Sequence, residues 1–126
     1  MKPTNCYCGA ETLFQNCCER YINGTQKAPT AEALMRSRYS AYATHSVDYL
    51  LATTHPLQQK YYSKIDILDW AISNQWLKLE ILAVTENTVE FKAHYLDKFN
   101  QNQIHHEKST FIFENGLWFY VDGQFY

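Results

Sequence analysis

Residues 77–96, LKLEILAVTENTVEFKAHYL, hold two runs in which apolar and polar side chains alternate. Alternation with a period of two is typical of β-strands that bury one face. Because Glu86-Asn87 between the runs is a turn signal, the stretch predicts a β-hairpin whose apolar side covers a core. The apolar positions of the two runs are Leu77, Leu79, Ile81, Ala83, Val89, Phe91, Ala93 and Tyr95.

Two more strands are predicted after this hairpin. They span Ile104–Phe113 and Leu117–Asp122, and Asn115-Gly116 between them is the strongest short hairpin signal in the chain. Four consecutive strands joined by turns predict a single antiparallel meander.

Helical signals occupy the residues before the meander. Thr30 is a good N-cap for a helix over Ala31–Thr44, and a second helix over Val47–Thr53 must end before Pro56. Ser63, with Asp66 three residues later, predicts the start of a third helix. Helices first and an antiparallel sheet second indicate an α+β fold, with the helices covering one face of a curved sheet.

Composition excludes several classes of function. The chain has 126 residues, with 11 basic and 13 acidic side chains and a net charge of −2. This balance gives no basic surface for nucleic acid and no polybasic membrane segment. The N-terminus lacks the apolar region of a secretory signal, and no apolar run approaches the roughly 18 residues of a membrane span. We therefore expect a cytoplasmic protein without nucleic-acid or membrane partners.

All four cysteines lie in the first eighteen residues, at positions Cys6, Cys8, Cys17 and Cys18. Two close pairs separated by a short loop suit a tetrahedral shell around one structural Zn²⁺, and Gly9 supplies the backbone freedom of a tight metal knuckle. A disulfide pair and four unrelated thiols are the alternatives, but a reducing compartment favours metal ligands. Residues 1–24 are thus predicted to form a zinc-binding motif, and residues 25–126 the α+β domain.

The pattern of Cys6-Tyr7-Cys8-Gly9-Ala10 and Asn16-Cys17-Cys18 resembles the SEC-C motif, a small zinc module. Together with segments along most of the chain, it resembles the bacterial YchJ-like family. The other matching segments are Ala28-Pro29-Thr30, residues 34–39, Thr54-His55-Pro56, Trp76-Leu77, residues 106–109 and residues 118–123. This resemblance implies an NTF2-like α+β cone, and it implies no assigned biochemical activity. The loop between the cysteine pairs has no basic residue, which argues against phosphate contacts.

The resemblance to NTF2-like cones also implies a cavity between the helices and the concave sheet face. Arg38 is the first candidate for its lining, because it shares a helix stripe with Leu34, Met35 and Tyr42. A buried guanidinium needs an acceptor, and Glu107 or Asp122 is expected to pair with it, either as a structural bridge or as part of a site. Further candidates on the last strand are Trp118 and Tyr120, which alternate with Asp122.

Two histidines complete the predicted pocket. His55 and His106 can move protons near neutral pH, although a single histidine is more often a packing or surface residue. The sequence shows no complete set of catalytic residues, so no catalytic residue is assigned. The leading hypothesis is a non-enzymatic binding or adaptor protein whose zinc motif contacts a protein partner. The alternative is a small-molecule-binding protein or enzyme that uses the cone cavity.

Overall fold

The computed structural model describes residues 5–126 of the chain. Its helices are α1 (Glu19–Ile22), α2 (Ala31–Ala43), α3 (Val47–Ala52) and α4 (Lys64–Ser73), with 3₁₀ turns at Phe14–Asn16 and Gln59–Tyr61. The strands β1 (Gln75–Val84), β2 (Thr88–Leu96), β3 (Asn102–Glu114) and β4 (Leu117–Phe125) form one antiparallel sheet in the order β1-β2-β3-β4. The predicted order of helices followed by a meander is therefore confirmed. Among residues 5–126, no helix has both the length and the apolar character required to cross a bilayer.

Two of the three predicted helix starts are fixed by side-chain caps. Thr30 Oγ1 accepts a hydrogen bond of 3.0 Å from the Ala33 backbone N–H, and Ser63 Oγ accepts one of 3.1 Å from Asp66. Ser46 precedes α3 but does not cap it, because its hydroxyl bonds to Thr44 Oγ1 at 2.8 Å instead.

The core lies between α2 and the concave face of the sheet. Leu34 is 2% exposed and Val89 is fully buried, so the helix stripe and the alternating strand residues meet as predicted. Burying a side chain of this size contributes about 1.5–3 kcal/mol. The buried members are Ala31, Leu34, Met35, Tyr39, Val89, Phe91, Ala93, Phe111 and Tyr120.

Bulges in β1 change which of its residues face the core. The register with β2 shifts between Trp76 and Lys78 and again between Ile81 and Ala83. Each shift places one extra residue on β1, and this inverts the alternation beyond it. As a result Leu77 and Ala83 are exposed, contrary to the predicted apolar face, and Trp76 packs against the core instead.

A bulge in β4 has the same effect near the end of the chain. Thr110 pairs with Asp122 but Phe111 pairs with Tyr120, so Val121 is the extra residue. Beyond the bulge the alternation is inverted, and Asp122 is exposed rather than on the face of Tyr120. Gly123 now lies opposite Ser109 on the concave side.

The apolar residues of α4 at helical spacing, Ile65, Leu68 and Ile72, form a stripe that lies at the surface. Ile65 is 80% exposed and Ile72 is 57% exposed, whereas Ala71, on another side of the helix, is buried. The helix is where the sequence predicts it, but its inward side is formed by Ala71 and not by the isoleucine stripe.

Gly123 is predicted to be required for its size. A methyl group at this position would overlap the carboxylate of Glu107, and the backbone of Gly123 is not left-handed. We expect Gly123→Ala to lower the free energy of unfolding in urea by about 1–3 kcal/mol, because the bulged strand must shift. In a Glu107→Ala background the same change should cost much less.

The control for this cycle is Gly116→Ala. Gly116 has φ of +81° and open space around it, so alanine there should cost about 1 kcal/mol in both backgrounds. An equal cost of Gly123→Ala in the two backgrounds would contradict the steric role of Gly123.

Candidate functional site

The four cysteine sulfurs converge on one point. Their Sγ atoms all lie within 4.8 Å of one another, and the Sγ atoms of Cys8 and Cys17 are 3.8 Å apart. A tetrahedral shell with metal–sulfur bonds of about 2.3 Å requires sulfur–sulfur distances of about 3.8 Å. All four thiols are free, and all but that of Cys17 are buried. The arrangement therefore matches a metal shell in both donor number and spacing.

Local backbone structure brings the two pairs together. The Gly9 N–H bonds to the Cys6 carbonyl at 3.1 Å, in a tight turn that Gly9 makes with φ of +93°. Cys17 ends the 3₁₀ turn, and Cys18 immediately precedes α1. We call residues 5–24 the knuckle.

The electrostatics of the cluster favour a bound cation. Hydrogen bonds from Cys18 and Cys8 hold the pKa of Cys6 below its usual range. Burial and the negative charge of neighbouring sulfurs raise the pKa of Cys17 to about 11. Ionised neighbouring sulfurs therefore oppose ionisation of Cys17, and a divalent ion would remove that conflict. The residues present fit a metal ion held by sulfur.

The knuckle is attached to α2 and β1. Arg36 on α2 donates a hydrogen bond of 2.9 Å from Nη1 to the Cys8 carbonyl, and Ser40 Oγ lies 3.6 Å from Cys6 Sγ. Leu79 of β1 packs against the cysteine cluster. Contacts thus cross the proposed boundary at residue 24, and the division into two units stays a prediction.

A cavity of about 230 Å³ lies beneath α2, on the concave face of the sheet. A cavity of about 150 Å³ is enough to bind benzene, so this volume suits a small organic molecule. Most of its walls are aromatic. It is lined by Met35, Arg38, Tyr39, Tyr42, Tyr62, Trp70, Trp76, Phe91, Ala93, His105, Glu107, Ser109, Phe111, Tyr120 and Phe125.

The aromatic wall is held by edge-to-face and tilted contacts around Trp76. The Trp76 ring centroid lies 5.5 Å from that of Tyr42, 6.0 Å from Trp70 and 5.2 Å from Tyr95. Such contacts stabilise ring pairs beyond simple burial and fix their orientation. Trp70 is 41% exposed and Phe125 is 64% exposed, so these two rings form part of the rim.

Glu107 is a buried carboxylate on the cavity floor. Its Oε2 accepts hydrogen bonds from Ser109 at 2.6 Å and Tyr120 at 2.9 Å, and its Oε1 lies 2.7 Å from His105 Nε2. Burial acts to raise the pKa of Glu107, but bonds from His105, Ser109 and Tyr120 outweigh it and hold the pKa below its usual range. Glu107 is therefore charged, and both of its oxygens are hydrogen-bonded.

Arg38 has no carboxylate partner among residues 5–126 and is not paired with Glu107 or Asp122. Its Nη1 donates to the Leu50 carbonyl at 2.8 Å and to Thr53 Oγ1 at 2.7 Å, at the end of α3. The guanidinium carbon lies 4.7 Å from the ring centroid of Tyr120. The predicted ion pair does not form, because Glu107 is bonded to other donors and Asp122 faces outward.

The structure brings only part of the predicted pocket together. Arg38, Glu107 and Tyr120 line the cavity, whereas the other four candidates, His55, His106, Trp118 and Asp122, lie outside it. The Trp118 indole instead donates to the Pro29 carbonyl at 3.2 Å.

The two histidines predicted for the pocket, His55 and His106, instead contact glutamates outside the cavity. His55 Nδ1 accepts a bond from the Leu57 N–H, which leaves the proton on Nε2, 3.2 Å from Glu114. His106 Nε2 lies 2.8 Å from Glu90, on the convex side of the sheet.

His105 lines the cavity, whereas the sequence interpretation chose its neighbour His106. His105 has the same strand parity as Glu107, Ser109 and Phe111, and this alternation was already visible in the sequence. Because consecutive side chains of a strand point to opposite faces, this alternation places His105, and not His106, on the concave face.

The sequences of known proteins align with nearly the whole chain. Residues 30–123 match the family described as the YchJ middle NTF2-like domain. The UPF0225 protein plu2503 of Photorhabdus laumondii is 41% identical over 125 residues, which are 94% of this chain and 79% of that protein. A UPF0225 protein of Serratia proteamaculans is 39% identical over 128 residues, 96% of this chain and 83% of that protein.

Solved structures agree with the fold. The solution structure of RPA3114, a SEC-C motif containing protein from Rhodopseudomonas palustris, has a TM-score of 0.88 and 34% identity, covering 96% of this chain and 98% of that one. The crystal structure of a SEC-C motif containing protein from Psychrobacter arcticus has a TM-score of 0.77 and 30% identity, covering 97% and 81%. The chain therefore belongs to the YchJ-like family of UPF0225 proteins and has its NTF2-like α+β fold.

Proposed function

We propose that the protein is a non-enzymatic binding protein, with one structural Zn²⁺ in the knuckle and a small-molecule site in the cavity. The observation that carries the second part is a preformed aromatic cavity in which the Arg38 guanidinium has no carboxylate partner within the described residues 5–126. Ligand sites are typically concave, mostly apolar and equipped with a few convergent polar groups.

The four sulfurs support zinc as the metal. Zinc prefers four tetrahedral nitrogen or sulfur ligands, and a shell in which the protein supplies all four is structural and not catalytic. Cys6, Cys8, Cys17 and Cys18 would hold the ion, which would crosslink the first turn of the knuckle to the start of α1. Contact between this motif and a protein partner stays a prediction.

Metal content tests the zinc assignment. Tag-free native protein should contain one zinc per chain by elemental analysis. Cys17→Ser should lower this content well below one, because serine is a poor zinc ligand. Ser46→Ala, a change at a partly buried serine outside the knuckle, should leave it unchanged. Stoichiometric iron in place of zinc, or disulfides among the native cysteines, would contradict the assignment.

Chelation tests how far the metal supports the fold. On adding EDTA, backbone NMR signals of residues 5–24 should collapse to unfolded positions, because the knuckle has little core of its own. Signals of β2 and β3 should persist, since the main core around Val89 and Phe111 is separate from the cysteine cluster. Shifts confined to Arg36, Ser40 and Leu79 are expected where the two parts touch. A single cooperative loss of all signals would contradict this separation.

A thermal-shift screen of small metabolites tests the cavity. A ligand at 100 times its Kd adds about 2.7 kcal/mol of stability, which gives a clear shift for a domain of this size. Hits should perturb NMR signals of cavity residues such as Trp76 and His105. If acids, amines, nucleotides and neutral ring compounds all fail to shift the midpoint, the cavity is not a ligand site.

A further inference from the structure

The free edge of Arg38 defines what the cavity can recognise. All of the hydrogen bonds that Arg38 makes with residues 5–126 leave from Nη1, towards Leu50, Thr53 and Thr54 at the end of α3. In the described part of the chain, no buried side-chain nitrogen or oxygen lacks a partner. Nε and Nη2 of Arg38, which have no bond to these residues, therefore each keep some exposed surface, and together they form the edge that binds a carboxylate through two parallel hydrogen bonds.

The other charge in the cavity is already engaged. Both oxygens of Glu107 are occupied by Ser109, Tyr120 and His105, and the residue is only 6% exposed. A cationic ligand would have to compete with these three partners for the carboxylate. The charge that the cavity leaves open to a ligand is thus positive.

The walls and volume of the cavity limit the size and character of the apolar part of the ligand. Trp76, Tyr42 and Phe111 present ring faces and edges, and the volume of about 230 Å³ exceeds the roughly 150 Å³ sufficient for benzene. The remaining space suits a carboxylate and a short linker.

We propose that the cavity binds a small aromatic carboxylic acid, its carboxylate on Nε and Nη2 of Arg38 and its ring against Trp76 and Phe111. This assignment rests on the proposed function of the cavity as a small-molecule site. It adds the sign of the ligand's charge and the size of its apolar part.

Three probes of one shape test the assignment on the metal-loaded, full-length protein. These are 3-phenylpropionate, its uncharged amide, and 3-phenylpropylamine, each titrated by calorimetry and by NMR. The acid should bind at least about tenfold more tightly than the amide, since one charge-assisted pair is lost. The amine should bind most weakly. The shifted signals should belong to Trp76, His105 and Phe111.

Two variants assign the difference to Arg38. Arg38→Met should weaken binding of the acid by at least about tenfold and leave the amide unchanged, whereas Lys78→Met, an exposed charge on β1, should alter neither. If Arg38→Met fails to fold, Arg38→Lys keeps the charge but loses the planar fork, and it should also weaken the acid.

The outcomes separate the two proposals. If the amide or the amine binds at the cavity residues as tightly as the acid, the carboxylate assignment is wrong and the small-molecule site stands. If none of the probes and none of the screened metabolites perturbs the cavity residues, both proposals fail.

Discussion

The buried carboxylate of Glu107 is the constraint on which the concave side of the sheet depends. An ionised side chain at 6% exposure is stable only when donors replace its lost water, and three side chains from β3 and β4 do so. For Tyr120 to donate to Glu107, β4 must place this side chain on the concave face. The strand must then pass close to the Glu107 carboxylate. The bulge at Val121 and the absence of a side chain at Gly123 make that approach sterically feasible.

Helix α2 contacts both the knuckle and the cavity. Arg36 and Ser40, four residues apart, face the knuckle, and Arg38 and Tyr42 face the cavity. This division follows from the helical period, which separates positions 36 and 38 by about 200° around the axis. Both the sulfur shell and the cavity therefore use the same rigid element as one of their walls.

Local signals in the sequence account for what could be predicted. The caps at Thr30 and Ser63, the Asn115-Gly116 turn and the adjacent cysteine pairs act over a few residues, so their outcome follows from the residues themselves. The bulges at Leu77, Leu82 and Val121 depend on the register between strands, which no single strand encodes. Their consequences, the outward turn of Asp122 above all, could not be predicted for the same reason. His105 is different, because the alternation on β3 already indicated it.

Tyr120 explains why the two charges of the cavity do not meet. The face of its ring lies under the Arg38 guanidinium, and its hydroxyl donates to Glu107, so one ring separates the cation from the anion. A direct ion pair would satisfy both groups and close the site. With Tyr120 between them, the carboxylate is bonded to Ser109, Tyr120 and His105, and two nitrogens of the guanidinium have no bond to residues 5–126. A partly buried cation held in this way loses solvation without gaining a counter-charge. An anion bound at Nε and Nη2 would offset that cost, which is why we propose an anionic ligand for the cavity.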